Sequence, residues 1–307
     1  MLILGLAGLV IGAHLVIRGS LNIAQHYKIS QLFIGLTILA IGTDLPELIV
    51  AITGAVHRLQ GIETSGLIVG EAIGTCMGQI TLTLGVIGLF IYLTIGRRQL
   101  MRGGVLMLVS VLMLLLVGLD GKISRWDGII FMLVYLIYFI SLLREERVYE
   151  KLKRAPRMHL FWSVLSIIAG FGFLIYCSNL VVTGAIDLAN AWGVKQSLIG
   201  IILVGLGTSL PEIVLTIGAI IKKAPALSVG NLIGSNIFDI LFPLGIGAAI
   251  SEFLVSDNLL RFDILFLFIS SGIVFLFFLR KKGIQKKEAL ALIAIYLIYI
   301  GAKLIGL

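Results

Sequence analysis

Gly42-Thr43-Asp44-Leu45-Pro46-Glu47 and Gly207-Thr208-Ser209-Leu210-Pro211-Glu212 decide how this chain is read, because they lie 165 residues apart and each interrupts an apolar stretch. At that offset Gly5 falls on Gly170, Gly19 on Gly184, Ala24 on Ala189, Gln31 on Gln196 and Ile34-Gly35 on Ile199-Gly200. A second pair of motifs follows at an offset of 160, where Gly70-Glu71-Ala72-Ile73-Gly74-Thr75 meets Gly230-Asn231-Leu232-Ile233-Gly234-Ser235. Tyr135-Leu136-Ile137-Tyr138 then matches Tyr296-Leu297-Ile298-Tyr299 at 161. Generic membrane composition can repeat Leu, Ile and Gly by chance. It does not repeat a scarce Pro-Glu pair at a fixed distance from Gly-Thr.

The rest of the chain says where this repeat lives. Its 307 residues are 59% hydrophobic and only 13% charged, with a mean hydropathy of +1.11, whereas a soluble domain carries roughly 25% charge. Apolar stretches of roughly 20 residues, enough to cross ~30 Å of hydrocarbon, recur near 2–24, 31–56, 66–94, 103–118, 128–143, 160–184, 197–221, 227–250, 262–279 and 288–305. The first lacks a basic n-region and a cleavage site, so it reads as a mature helix. The expected fold is an all-α membrane protein of ten transmembrane helices. Residues 1–143 form one five-helix repeat and 160–307 the other, joined by a basic cytoplasmic linker at 144–159. Five is odd, so the halves enter the bilayer from opposite sides as inverted repeats, with Pro-broken helices meeting at the midplane.

Charge distribution orients the spans. Odd-numbered turnarounds hold seventeen of the 24 lysines and arginines, the even-numbered ones and the C-terminus six, and Arg18 lies within the first span. This bias places the odd loops in the cytoplasm and both termini outside. It also accounts for the formal charge of +8 without nucleic acid as a partner. Cys76 and Cys177 fall in apolar spans with no metal-ligand spacing and read as small buried hydrophobes.

The repeated motif carries its own chemistry. Pro46 and Pro211 lack an N–H, so the carbonyls of Gly42 and Gly207, four residues back, lose their helical partners. A bare carbonyl in hydrocarbon is costly unless the site is wet or holds a cation. Carbonyl, hydroxyl and carboxylate oxygens within one turn are the hard ligand set suited to sodium or calcium. Asp44, Glu47, Glu71, Glu212 and Asp239 all fall well inside spans, where burying each carboxylate costs roughly 2.5–3.5 kcal/mol. Glu71, Thr75 and Gln79 follow one another at i, i+4 and i+8, and Asn231, Ser235 and Asp239 repeat that stripe.

At these residues the chain resembles the calcium/cation antiporter superfamily, and most closely the prokaryotic sodium/calcium exchangers, over its whole length. The resemblance implies that Glu47 and Glu212 are the central cation ligands, with Thr43 and Thr208 beside them. It places flanking sodium sites at the carbonyls of Ala40 and Gly205, the hydroxyls of Ser209, Thr75 and Ser235, and the carboxylate of Asp239. It also implies that spans 1 and 6 slide across the other eight. The first repeat departs from the family: Asp44 stands where serine is usual, Glu71 where asparagine is usual, Thr75 for serine and Gln79 for asparagine. Relative to Glu47, Glu212 and Asp239 alone, Asp44 and Glu71 raise the formal site charge from −3 to −5. Neither one divalent ion nor three sodium ions neutralises that, which opens a role for protons on Asp44 or Glu71.

The expected function is therefore secondary antiport of Ca2+ against Na+ in the plasma or inner membrane, with proton-coupled cation antiport as the alternative. Small inorganic cations and the lipid bilayer are its partners, no cofactor is implied, and composition says nothing of oligomeric state. A pump is disfavoured by the absence of G-x-x-x-x-G-K-[ST]. An intramembrane enzyme is disfavoured because the acids recur symmetrically with hydroxyls, as ligands would, and no H-E-x-x-H occurs. A channel lined by the same oxygens is separated from an antiporter by its indifference to counter-ions.

Overall fold

The computed structural model describes residues 1–26, 40–145, 160–210, 212–213, 216, 225–281 and 283–305. They are almost entirely helical. α1 is Leu2–His26, α2 Ala40–Thr43 and α3 Leu45–Leu59. α4, Ser65–Met77, runs through a π-helical stretch, Gly78–Thr83, into α5, Leu84–Phe90. α6, Arg97–Gln99, passes through another, Leu100–Gly104, into α7, Val105–Val117. α8 is Arg125–Glu145 and α9 Leu160–Trp192. α10, Gln196–Ile199, continues by the π-helical Gly200–Val204 to α11, Gly205–Thr208. α12 is Pro225–Leu241 and α13 Pro243–Ile250. The π-helical Leu259–Ile264 leads α14, Leu265–Lys281, and α15 is Lys286–Leu304.

Among the described residues seven helices are long and apolar enough to cross a membrane: Leu2–Ser20, Ser65–Phe90, Arg97–Asp120, Arg125–Leu142, Leu160–Trp192, Val229–Ile250 and Leu259–Arg280. Parts of the expected second and seventh spans, and residues 146–159 of the expected linker, lie outside the described residues. The expected tenth span coincides with α15. α9 runs past its expected end at 184 because nothing stops it before Gly193, which adopts φ 63. There the Gly193 N–H bonds Asn190 O at 3.2 Å and the Val194 N–H bonds Ala189 O at 3.0 Å. This is the Schellman closure that glycine permits at a helix C-terminus.

Two packing relations position the interior. α1 lies along α9, and α4 lies along α10 and α11. The second contact is very close: a methyl group at Gly74 would stand 2.2 Å from Ile201 O. Two backbone pairings bracket the α6–α7 run. β1, Lys122–Ile123, pairs antiparallel with β2, Phe253–Leu254, and Leu93 bridges Ile284. Beside β1 and β2, Lys122 Nζ donates to Glu252 Oε2 at 2.9 Å, Arg58 Nε donates to Glu252 O at 2.5 Å, and Arg58 also pairs with Glu63.

Candidate cation-binding site

The first Pro-Glu motif breaks its helix as its sequence requires. α2 stops at Thr43 and α3 begins at Leu45, with Asp44 at the N-cap (φ −86, ψ 7) and Pro46 in the first turn. Asp44 makes no side-chain cap bond, so its carboxylate is free for longer-range partners. Glu47 lies in the first turn of α3, where the exposed N–H groups favour negative charge. In the second motif α11 ends at Thr208, Ser209 sits at φ −72, ψ 1, and Glu212 and Ile213 are helical again. Pro211 lies outside the described residues.

The third span of the first half then reaches into the second. Because Gly74 lets α4 touch the backbone at Ile201, Thr75 Oγ1 comes within 3.0 Å of Gly205 O and donates to it. Thr208 Oγ1 lies 3.3 Å from Glu71 Oε1, 3.0 Å from Val204 O and 3.3 Å from Gly205 O. Ser209 Oγ donates to Gly205 O at 2.7 Å. One carbonyl is thus surrounded by three hydroxyls, two from its own turn and one from the other half.

The reciprocal contact comes from α12. Ser235 Oγ donates to both oxygens of Asp44, at 3.0 and 3.3 Å. One turn further on, Gln79 Nε2 donates to Asp239 Oδ2 at 3.4 Å, and Gln79 Oε1 accepts from Asn236 Nδ2 at 2.7 Å. Gln79 stands in the π-helical stretch that follows α4, a distortion that often marks a functional position. Pro243 opens α13 and cannot donate to Asp239 O, freeing one more acceptor beside the carboxylate.

The structure places the expected side chains in the interior. Thr43, Asp44, Glu47, Glu71, Thr75, Gln79, Thr208, Ser209, Glu212, Ser235 and Asp239 are all buried, none more than 4% exposed. Gly205 supplies the shared carbonyl, and Ala40 is the first residue of α2. Glu212 lies within electrostatic reach of Glu47, Asp44 and Asp239, and Asp239 within reach of Asp44, Glu47 and Glu71. Both oxygens of Glu47, both of Glu212 and Oδ1 of Asp239 are buried without a hydrogen-bond partner. Orphaned acceptors of this kind are expensive in a dry interior. Cations distributed among them would offset that cost.

Among the described residues no three His, Cys, Asp or Glu side chains stand close enough to share one ion. A cation held among these carboxylates would therefore complete its shell with hydroxyls and carbonyls, as the Gly205 cluster offers.

Three polar features escaped the sequence reading. Asn236, the residue after the Gly230–Ser235 motif, anchors Gln79. Thr53 Oγ1 contacts Ser178 Oγ at 2.7 Å and His57 Nε2 contacts Asn179 Oδ1 at 2.9 Å, tying α3 to α9. Lys303 Nζ donates to Asp263 Oδ2 at 2.9 Å and Asn258 Oδ1 at 2.8 Å, while Tyr299 OH donates to Asp263 Oδ1 at 2.8 Å. The i, i+4 spacing of Tyr299 and Lys303 was the available signal for that last cluster.

Against known proteins, the sequence profile described as sodium/calcium exchanger protein matches residues 1–144 and 162–305. An uncharacterized membrane protein of Methanocaldococcus jannaschii is 30% identical over 306 residues, covering 99% of this chain and 97% of that one. The sodium/calcium exchanger MaX1 of Methanosarcina acetivorans is 26% identical over 345 residues, covering 97% and 96%. Among solved structures, the sodium-calcium exchanger NCX_Mj soaked with Na+ and Sr2+ superposes with a TM-score of 0.66 at 29% identity, over 98% of this chain and 96% of that one.

Proposed function

We propose, given that this chain belongs to the sodium/calcium exchanger protein family, that it exchanges Ca2+ for Na+ across a cell membrane by alternating access to the pocket of Glu47 and Glu212. One observation carries the reading. Two carboxylates, one after each break, are fully buried with four oxygens lacking any hydrogen-bond partner. Such oxygens stabilise a cation and destabilise an empty pocket, so ions of either kind compete for one place. Competition of that kind couples their movements.

The inverted-repeat architecture of ten spans has independent support. The repeat offsets of 160 and 161 carry Leu93 onto Phe253 and Ile123 onto Ile284. The two observed pairings, Ile123 with Phe253 and Leu93 with Ile284, therefore exchange under the repeat. The π-helical stretches Leu100–Gly104 and Leu259–Ile264 correspond at 160 as well. The family profile, too, matches in two stretches that flank the basic linker. With the odd loops carrying most of the positive charge, both termini lie outside the cell.

In this site Glu47 and Glu212 are the central ligands. Gly205 O, Thr75, Thr208, Ser209 and Ser235 serve one flank, while Thr43, the Ala40 carbonyl, Asp44, Glu71 and Asp239 complete the oxygen lining. Sodium is the coupling ion, in keeping with the names of MaX1 and NCX_Mj. Reconstituted vesicles loaded with Na+ should take up Ca2+ in proportion to the outward Na+ gradient. Uptake driven by a pH step with no sodium requirement identifies the proton-coupled alternative, and uptake indifferent to any counter-ion refutes antiport.

A further inference from the structure

The hydrogen bonds around Asp239 form a chain in which every amide orientation is dictated by its neighbour. Asn236 Nδ2 lies 2.8 Å from Leu232 O. A backbone carbonyl can only accept, so the atom of Asn236 that faces it must be the NH2 group. That same nitrogen lies 2.7 Å from Gln79, so the facing atom of Gln79 must be its oxygen. Gln79 then has only its NH2 left to present to Asp239 Oδ2 at 3.4 Å. Asp239 Oδ1 has no partner. Asn236, Gln79 and Asp239 are all buried, at 1%, 0% and 1% exposure, so water does not relax this ordering.

Resting on the antiport reading above, we propose that Asn236 is a positioning residue that locks Gln79 as a donor toward Asp239. Gln79 then acts as a resident neutral stand-in for a cation on Oδ2 and is not itself an oxygen ligand. The transported ion meets Asp239 through Oδ1 alone. An amide in this place lowers the site's appetite for cations, because part of Asp239 is already satisfied when the site is empty. Asp239 lies within electrostatic reach of Asp44, Glu47 and Glu71, and such a brake on affinity lets the ion leave as well as enter.

A double-mutant cycle tests the lock. Gln79→Leu, Asn236→Leu and the double variant are purified, and thermal unfolding is followed with and without saturating Ca2+, alongside Ca2+ half-saturation in vesicle flux. With the resident donor gone the arriving ion can take Oδ2 as well as Oδ1, so Oδ2 is unpaired only in the empty variant and Gln79→Leu should lower the half-saturating Ca2+ concentration by about tenfold. It should also widen the gap between empty and loaded unfolding temperatures. Asn236→Leu, by freeing the amide to turn, should act in the same direction, and it should add nothing in the Gln79→Leu background. Asn236→Ala, which removes the same amide donor without adding charge, supplies a second variant should the leucine substitutions fail to fold; it too should tighten Ca2+ only while Gln79 is present. Weaker Ca2+ binding in Gln79→Leu, additive effects of the two sites, or equal lowering of both unfolding temperatures would each overturn the proposal. A wild-type protein that Ca2+ stabilises but that shows no sodium-driven flux sinks the antiport reading, while the thermal cycle still decides the amide's orientation.

Discussion

Gly74→Ala is the sharpest test of how helix contact builds the site. The added methyl would lie 2.2 Å from Ile201 O and 2.5 Å from Ile201 Cα, both backbone atoms that cannot rotate away. Restoring ordinary contact at 3.4 Å requires α4 and the Gly200–Val204 stretch to part by about 1.2 Å, the difference between 3.4 and 2.2. The Thr75–Gly205 bond of 3.0 Å and the Thr208–Glu71 contact of 3.3 Å straddle that seam. Opened by that amount they exceed about 4 Å, beyond any hydrogen bond. Overpacking of this size costs about 1–3 kcal/mol of stability, and a misplacement of about 1 Å in a site costs on the order of 10²-fold in rate. The assay is the initial rate of sodium-driven Ca2+ uptake per reconstituted protein, with thermal unfolding alongside. Gly172→Ala, where nothing lies within 4 Å of the new methyl, is the control and should match wild type in both. A Gly74→Ala protein with uptake within about twofold of wild type would refute the dependence of the oxygen cluster on this close approach.

Glu212→Gln should abolish Ca2+ uptake in vesicles while leaving the protein folded, since the amide keeps the volume and loses the charge. Asp44→Ser combined with Glu71→Asn should strengthen dependence on sodium relative to pH; an ion profile identical to wild type would place these acids outside the ion path. Lys303→Met should destabilise the protein by about 3–5 kcal/mol, because Asp263 is left as a buried unpaired charge, and restoration by a concurrent Asp263→Asn in thermal unfolding would confirm the cause. Outside the bilayer, the hydrogen bond from Lys122 holds the Glu252 carboxyl below the usual glutamate range. Its contribution is present above that range and is lost as pH falls through the lowered value. Lys122→Met should therefore lower the unfolding temperature slightly at neutral pH and make no difference in acid, and a difference that persists in acid would refute the pairing.

Most of the site was legible because its residues are chemically improbable where they stand. Proline and glutamate inside apolar spans cost so much that each must answer to a function, and the repeat doubled the signal. The break at Asp44, the burial of Glu47 and Glu212 and the stripe of Glu71, Thr75 and Gln79 all follow from that. Helix ends were less legible: α9 continues to Trp192 because its stop depends on the backbone angle of Gly193, which composition does not encode. The orientation of Gln79 was illegible for a different reason. An amide can serve as donor or acceptor, and only the carbonyl of Leu232, reached through Asn236, decides between them. Asp263 and Lys303 were passed over because each sits near a span end, where charge is cheap; their mutual burial is a tertiary event.

The two strand pairings have a mechanical consequence. Separated by the length of the α6–α7 run, they button the two halves together by backbone bonds near opposite ends of the bundle. Halves joined in this way cannot rock past each other without tearing main-chain contacts at one face or the other. On the proposed antiport reading, movement falls to α1 and α9, which touch each other largely through glycine and aliphatic surface with one hydrogen bond from Ser166 Oγ to Leu15 O, while α9 meets α3 through two side-chain hydrogen bonds. If the chain transports as proposed, it does so as a light shuttle gliding over a stapled frame, at a speed set by how readily Thr53–Ser178 and His57–Asn179 let go.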